Sequence, residues 1–208
     1  ASQVLSVDLS QLQQWLGTML WPFVRIGACL MVAPVFGAPY VPARVRLLLA
    51  LAVTVIAVPL LPATPATPLL SATGIAVTAQ QLIIGIALGF MLQLVFDGLA
   101  LAGQLLANGM GLGFAFNLDP LRGVSTPALG QLYVVLGTLT FLALDGHLAL
   151  LQVLIDSFHG LPVGPEGFEP ARLRALADWG TQLFAGALRI ALPGITALLV
   201  INVAFGVI

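Results

Sequence analysis

Apolar residues gather into five long runs, at residues 12–36, 43–61, 74–106, 128–158 and 183–208, and most polar residues lie in the breaks between them. A membrane-crossing helix needs about 20 largely apolar residues. The pattern therefore predicts one all-α domain, a polytopic membrane protein of long, kinked helices and helical hairpins with about 5–6 hydrophobic segments. The first run opens with Asp8 or Ser10 as N-cap, carries Trp15 and Trp21 as markers of an interfacial belt, and is expected to kink at Pro22. Pro42 stands at the start of the second helix, which stops at the proline-rich stretch PATPATP, residues 62–68. Arg44 and Arg46 stand where the connector enters that run, and no charge follows it, so the positive-inside rule assigns the arginine-bearing end to the cytoplasm.

The third run is too long for a simple span. Its 33 residues make about 50 Å of helix at 1.5 Å per residue, against a hydrocarbon core of about 30 Å. Within it GIALG sets Gly85 and Gly89 at the small-xxx-small spacing that lets helices approach closely. The fourth run is expected to begin with Thr126 as N-cap and Pro127 as its first helical residue. It is interrupted by LALDGHLAL, residues 142–150, where Asp145-Gly146 is a turn signal. A hairpin there leaves a second piece too short to span. Non-helical backbone at membrane depth has to be buried in protein or line a cavity, so the fold expects partner subunits. Residues 159–180 read as a polar loop followed by a short amphipathic helix from near Pro170, and the last run stops within apolar sequence, which implies a missing C-terminal part.

Composition strengthens the membrane reading: 60% of residues are hydrophobic and 7% charged, where soluble domains average about 25% charged. All basic residues are arginine and form no cluster, which argues against nucleic acid as a partner. The single cysteine, Cys29, excludes an internal disulfide or a cysteine-rich metal site and reads as a small buried hydrophobe.

The ionisable residues singled out as embedded in apolar sequence are Arg25, Asp97, Asp145, His147 and Arg189. Each costs about 2.5–3.5 kcal/mol at the centre of a bilayer even on lenient scales. They either form a proton or ion pathway, or hold helices in register, with Arg25 or Arg189 paired to Asp97 or Asp145. Register is the better reading, because no two share i,i+4 spacing on one helix. An intramembrane aspartyl protease would need two facing carboxylates, and the FDGLA and LDGHL contexts give no independent support for one. Asp145 with His147 cannot complete a closed metal site. With no nucleophile triad and no phosphate-binding loop, the chain reads as a non-enzyme with no catalytic, cofactor or metal residues.

Residues 109–127, GMGLGFAFNLDPLRGVSTP, look like neither run beside them. Gly109, Gly111 and Gly113 each cost a helix about 1 kcal/mol relative to alanine but let backbone approach backbone. Phe114 and Phe116 add apolar bulk on that flexible mount, and Asn117, Asp119 and Pro120 close the stretch. Such a long connector is either a gate or binding loop, or a surface loop whose phenylalanines dip into the interface.

Four ordered segments carry a family likeness: WPFVRIGACLMVAPVFG (21–37), VPARVRLLLALAVTVIAVPLLP (41–62), QQLIIGIALGFMLQLVFDGLALAGQLLANGMGLGFAFNLDP (80–120) and LALDGHLALLQVLIDSFHGLPVG (142–164). Through them the chain resembles the FliR/SctT-like export-gate family of bacterial type III secretion, on the flagellar side of it. The resemblance implies a structural subunit of the inner-membrane and basal-body gate, joined with FliP and FliQ and served by FlhB and FlhA. Unfolded flagellar subunits would pass through its centre. The stretch from Gly109 to Pro127 corresponds to the family's pore plug. Outside that family, the alternative is a stand-alone secondary transporter or channel with a midplane site at the broken fourth run.

Overall fold

The computed structural model describes residues 9–62, 68, 71–109, 116–118 and 125–164, and eleven positions between 185 and 203; for 9–16 and the two strands it describes the backbone alone. Among the described residues, the α-helices include α1 (Leu9–Val32), α2 (Ala43–Ala57), α3 (Ala72–Gly109), α4 (Ala128–Ala143) and α5 (Gly146–Gly160). A 3₁₀ turn, Val58–Leu60, extends α2, and two three-residue strands, β1 (Phe116–Leu118) and β2 (Ser125–Pro127), lie between α3 and α4. The all-α membrane class expected from the sequence holds. Two described helices are long and apolar enough to cross a membrane, Ala43–Leu60 and Ala72–Gly109, or three spans if α4 and α5 together make one.

One local expectation is narrowed and one corrected. Ser10 lies inside α1, so it is not the cap, and Asp8 lies outside the described residues. Thr126 and Pro127 belong to β2, where the backbone is extended, so Thr126 does not cap α4, which starts at Ala128. Pro127 supplies no amide hydrogen, which suits the residue that ends a strand just before a helix begins.

The chain divides into two compact units, one of Ala1–Phe90 with Leu148–Glu169 and the other of Met91–His147 with Pro170–Ile208. In the first, α1 ends in a tight reversal. The Phe36 amide donates to the Pro34 carbonyl (2.9 Å) and the Gly37 amide to the Ala33 carbonyl (2.8 Å), with Val35 at φ 71°. A β-branched residue at positive φ is strained, and the paired amides hold it there. Pro42 leads into α2 without a side-chain cap, its carbonyl accepting from Val45. Arg46 folds back onto the Val41 carbonyl through Nε (3.2 Å) and Nη2 (2.9 Å), fixing the connector. Ala50, Thr54 and Ala57 form the buried stripe of α2, and the Thr54 hydroxyl satisfies itself on the Ala50 carbonyl (2.6 Å).

The core of this unit is the seam between α1 and the first half of α3. Trp21, Arg25 and Cys29 on α1, with Ala33 just past its end, recur every four residues, and Val77, Gln81, Gly85 and Gly89 do so on α3; all are buried. Trp21 Nε1 donates to Thr78 Oγ1 (3.2 Å), Arg25 meets Gln81, and Cys29 meets Gly89. Numbers ascend together along both helices, so α1 and α3 run parallel, as the intervening return through α2 allows. Glycine is required here. A Cβ at Gly85 would run into the Arg25 carbonyl and stand 2.8 Å from Ala28 Cβ, and one at Gly89 would stand 2.5 Å from the Cys29 carbonyl.

The second unit has its own close crossing. A Cβ at Gly103 of α3 would lie 2.7 Å from Gly130 Cα and from the Leu129 carbonyl of α4. Ala102 is fully buried there among Leu101, Leu105, Leu106 and Ile195. Phe96 and Phe141 meet edge to face at 5.7 Å, an arrangement worth about 1 kcal/mol beyond the area it buries.

Candidate functional site: a buried arginine, an interrupted helix and a glycine-rich connector

Arg25 is fully buried at the centre of the first unit. Its Nε donates to Gln81 Oε1 (2.7 Å) on α3. Nη1 donates to the carbonyl (3.1 Å) and Oγ (3.2 Å) of Ser157 on α5, and Nη2 donates to the Leu161 carbonyl (2.7 Å). The guanidinium also lies 4.0 Å over the Phe158 ring, a cation–π contact that gains from desolvation. The sequence offers Asp97 or Asp145 as counter-ion. The structure instead gives the cation neutral acceptors from α5 and the residue that follows it, a side-chain amide and an aromatic face. A rigid planar fork with five donors suits that task, which a lysine could not perform. The cluster ties α1, α3 and α5 together. Among the described residues, Gln81 Nε2 is buried without a hydrogen-bond partner.

The other embedded residues lie elsewhere. Asp97 is exposed on α3 and accepts from Gln93 Nε2 one turn earlier (2.9 Å). Asp145 is exposed in the break between α4 and α5, at φ 55°, a conformation aspartate tolerates better than most residues. The Asp145 amide donates to the Leu142 carbonyl (3.2 Å), and a Cβ on Gly146 would strike the Phe141 ring. These local constraints stop α4 and let α5 start. His147 is half-buried, with Nδ1 unpartnered. Arg189 is exposed. Among the described residues no group of His, Cys, Asp and Glu could hold a metal ion.

Of the glycine-rich stretch, Gly109 is the last residue of α3, and Gly111, Gly113, Phe114, Asp119 and Pro120 lie outside the described residues. Phe116 and Asn117 belong to β1. This strand pairs antiparallel with β2 in the register Phe116↔Pro127, Asn117↔Thr126 and Leu118↔Ser125. The connector thus contains a short ribbon that brings residues 116–118 against 125–127.

Sequence reasoning missed Gln81, Ser157 and Phe158 as partners of Arg25. Gln81 had a readable signal: it stands four and eight residues before Gly85 and Gly89, so all three share the helix face that small residues mark for contact. Ser157 and the Leu161 carbonyl had none, because their contact with Arg25 spans more than 130 positions.

Apolar helices of spanning length, close glycine crossings and a buried interior arginine define an integral membrane protein. The comparisons narrow that class. The model of the family described as Bacterial export proteins, family 1 matches residues 16–208. The chain is 38% identical over 205 residues to the flagellar biosynthetic protein FliR of Escherichia coli K12, covering 99% of this chain and 78% of that one. It is 37% identical to FliR of Pectobacterium carotovorum, with the same coverage, and 24% identical over 189 residues to FliR of Bacillus subtilis, covering 89% and 73%. The chain belongs to the bacterial export proteins, family 1.

Proposed function

We propose that this chain is a structural subunit of the flagellar type III protein-export gate in the bacterial inner membrane and basal body. In this reading it assembles with FliP and FliQ into a channel for unfolded flagellar subunits, with FlhB and FlhA acting at the cytoplasmic side. The observation that carries the reading is the family match over nearly the whole chain, at 38% identity to a flagellar relative. Exposed apolar side chains on α2 and the first half of α3, among them Leu48, Ile56, Ile75 and Ile83, give it surface to set against neighbouring helices. The role needs no cofactor and no chemistry.

The glycine-rich connector, with Gly109, Gly111 and Gly113 as hinges and Phe114 and Phe116 as bulk, closes the resting pore against ions and water until an exported chain displaces it. Gly109 ends α3, and the β1–β2 ribbon before α4 carries Phe116, which supports a connector held at the helix and at the ribbon. Deleting residues 110–120 in an assembled gate is expected to raise ion conductance across the membrane. Unchanged conductance in a gate that still assembles contradicts the plug.

A further inference from the structure

The second half of α3 carries polar residues that the register of the fold does not use. Gln93, Asp97, Gln104 and Asn108 fall within a sector of about 60° at 100° per residue. Asp97, Gln104 and Asn108 are exposed. The buried residues Phe96, Ala102, Gly103 and Ala107 belong to the same stretch and take up its packing against α4 and Ile195. The polar sector runs for about 22 Å at 1.5 Å per residue and ends where Gly109 begins the glycine-rich connector.

This sector is misplaced for lipid. The helix has 38 residues, about 57 Å at 1.5 Å each, so bilayer thickness alone does not explain its length. Among the described residues, exposed Asp97 accepts one hydrogen bond, from the neutral Gln93 amide. An exposed carboxylate facing hydrocarbon would be costly. Three uncharged amides and one acid also make a poor match for a single cationic partner side chain. They do match water, each group having donors or acceptors to offer it.

We propose that this sector of α3, Gln93, Asp97, Gln104 and Asn108, faces the water-filled conduit of the assembled gate and leads to the glycine-rich plug. The inference rests on the export-gate reading above. Water along a wall of neutral amides lets an extended polypeptide pass without being held. Asp97 then acts as the one fixed charge in that wall.

The test is cysteine accessibility in cells whose gate exports flagellar subunits. Cys29→Ala removes the native thiol, and single cysteines replace Gln93, Asp97, Gln104, Asn108 and, as control, Val95, which is also exposed on α3 but points away from the sector. A membrane-impermeant cationic methanethiosulfonate is applied to right-side-out and inverted vesicles. Only a hydrated thiol ionises and reacts. The sector positions are expected to react about tenfold or more faster than Val95. Should Asp97→Cys fail to assemble, the Gln104 and Asn108 variants decide. Export that proceeds with all sector positions protected overturns the inference and leaves the export-gate reading standing. Export that does not depend on this chain overturns the reading itself.

Discussion

The two halves of α3 treat polar side chains in opposite ways. In the first half Gln81 is buried, and its carbonyl accepts from an arginine that is buried as well. In the second half Asp97, Gln104 and Asn108 are exposed, and Asp97 accepts from the amide one turn before it. Both halves use glycine for close contact, Gly85 and Gly89 against α1, and Gly103 against Gly130 of α4. The difference shows what polarity is for in each place. A polar group with all its geometry fixed by other helices sets register, and one left open on a helix surface reports the medium it faces.

Perturbing the buried half should give the largest effects. Arg25→Ala leaves Gln81 Oε1 unpaired in the core and removes the donor from the partly buried Ser157 and Leu161 carbonyls, and each buried acceptor left unsatisfied costs about 1–3 kcal/mol. The expected result is a steep fall in membrane levels and in the thermal midpoint in detergent. Arg25→Lys should recover little, because one ammonium cannot serve three separated residues. Full recovery by lysine would mean that charge alone matters there.

Gly85→Ala comes next. Alanine gains about 1 kcal/mol of helix propensity, yet its methyl meets backbone at Arg25, and overpacking of this kind costs about 1–3 kcal/mol. The sign should therefore be destabilising, read as a lower midpoint in detergent. A stabilised Gly85→Ala protein would show that α1 and α3 stand further apart than described. Ser157→Ala removes one hydroxyl acceptor and leaves the carbonyl of the same residue in place, so it should cost about 0.5–1.5 kcal/mol. Asp97→Asn closes the series: as an exposed substitution it should change stability by about 0.5 kcal/mol or less. If the Asp97 change destabilised the protein as much as the Arg25 change, the contrast between the halves would fail.

Much of this was legible in the sequence. The apolar runs announced the helices, and GIALG announced a close helix approach on the third run, without saying that α1 would be the partner. Asp145-Gly146 announced the interruption between α4 and α5. Arg25 was visible as an anomaly, but its partners were not. A guanidinium satisfied by carbonyls of a helix far along the chain leaves no spacing rule to read, and the search for a carboxylate followed charge where the fold used geometry. The start of α4 was misread because Thr-Pro suits a strand end as well as a helix cap.

The central claim is assembly, and the native mass of the purified protein tests it most directly. Co-expressed with FliP and FliQ homologues and extracted together, the chain is expected in one large hetero-oligomer that contains a single copy of it. A monodisperse species that excludes those partners, yet remains folded with Arg25 protected in its core, would contradict the account.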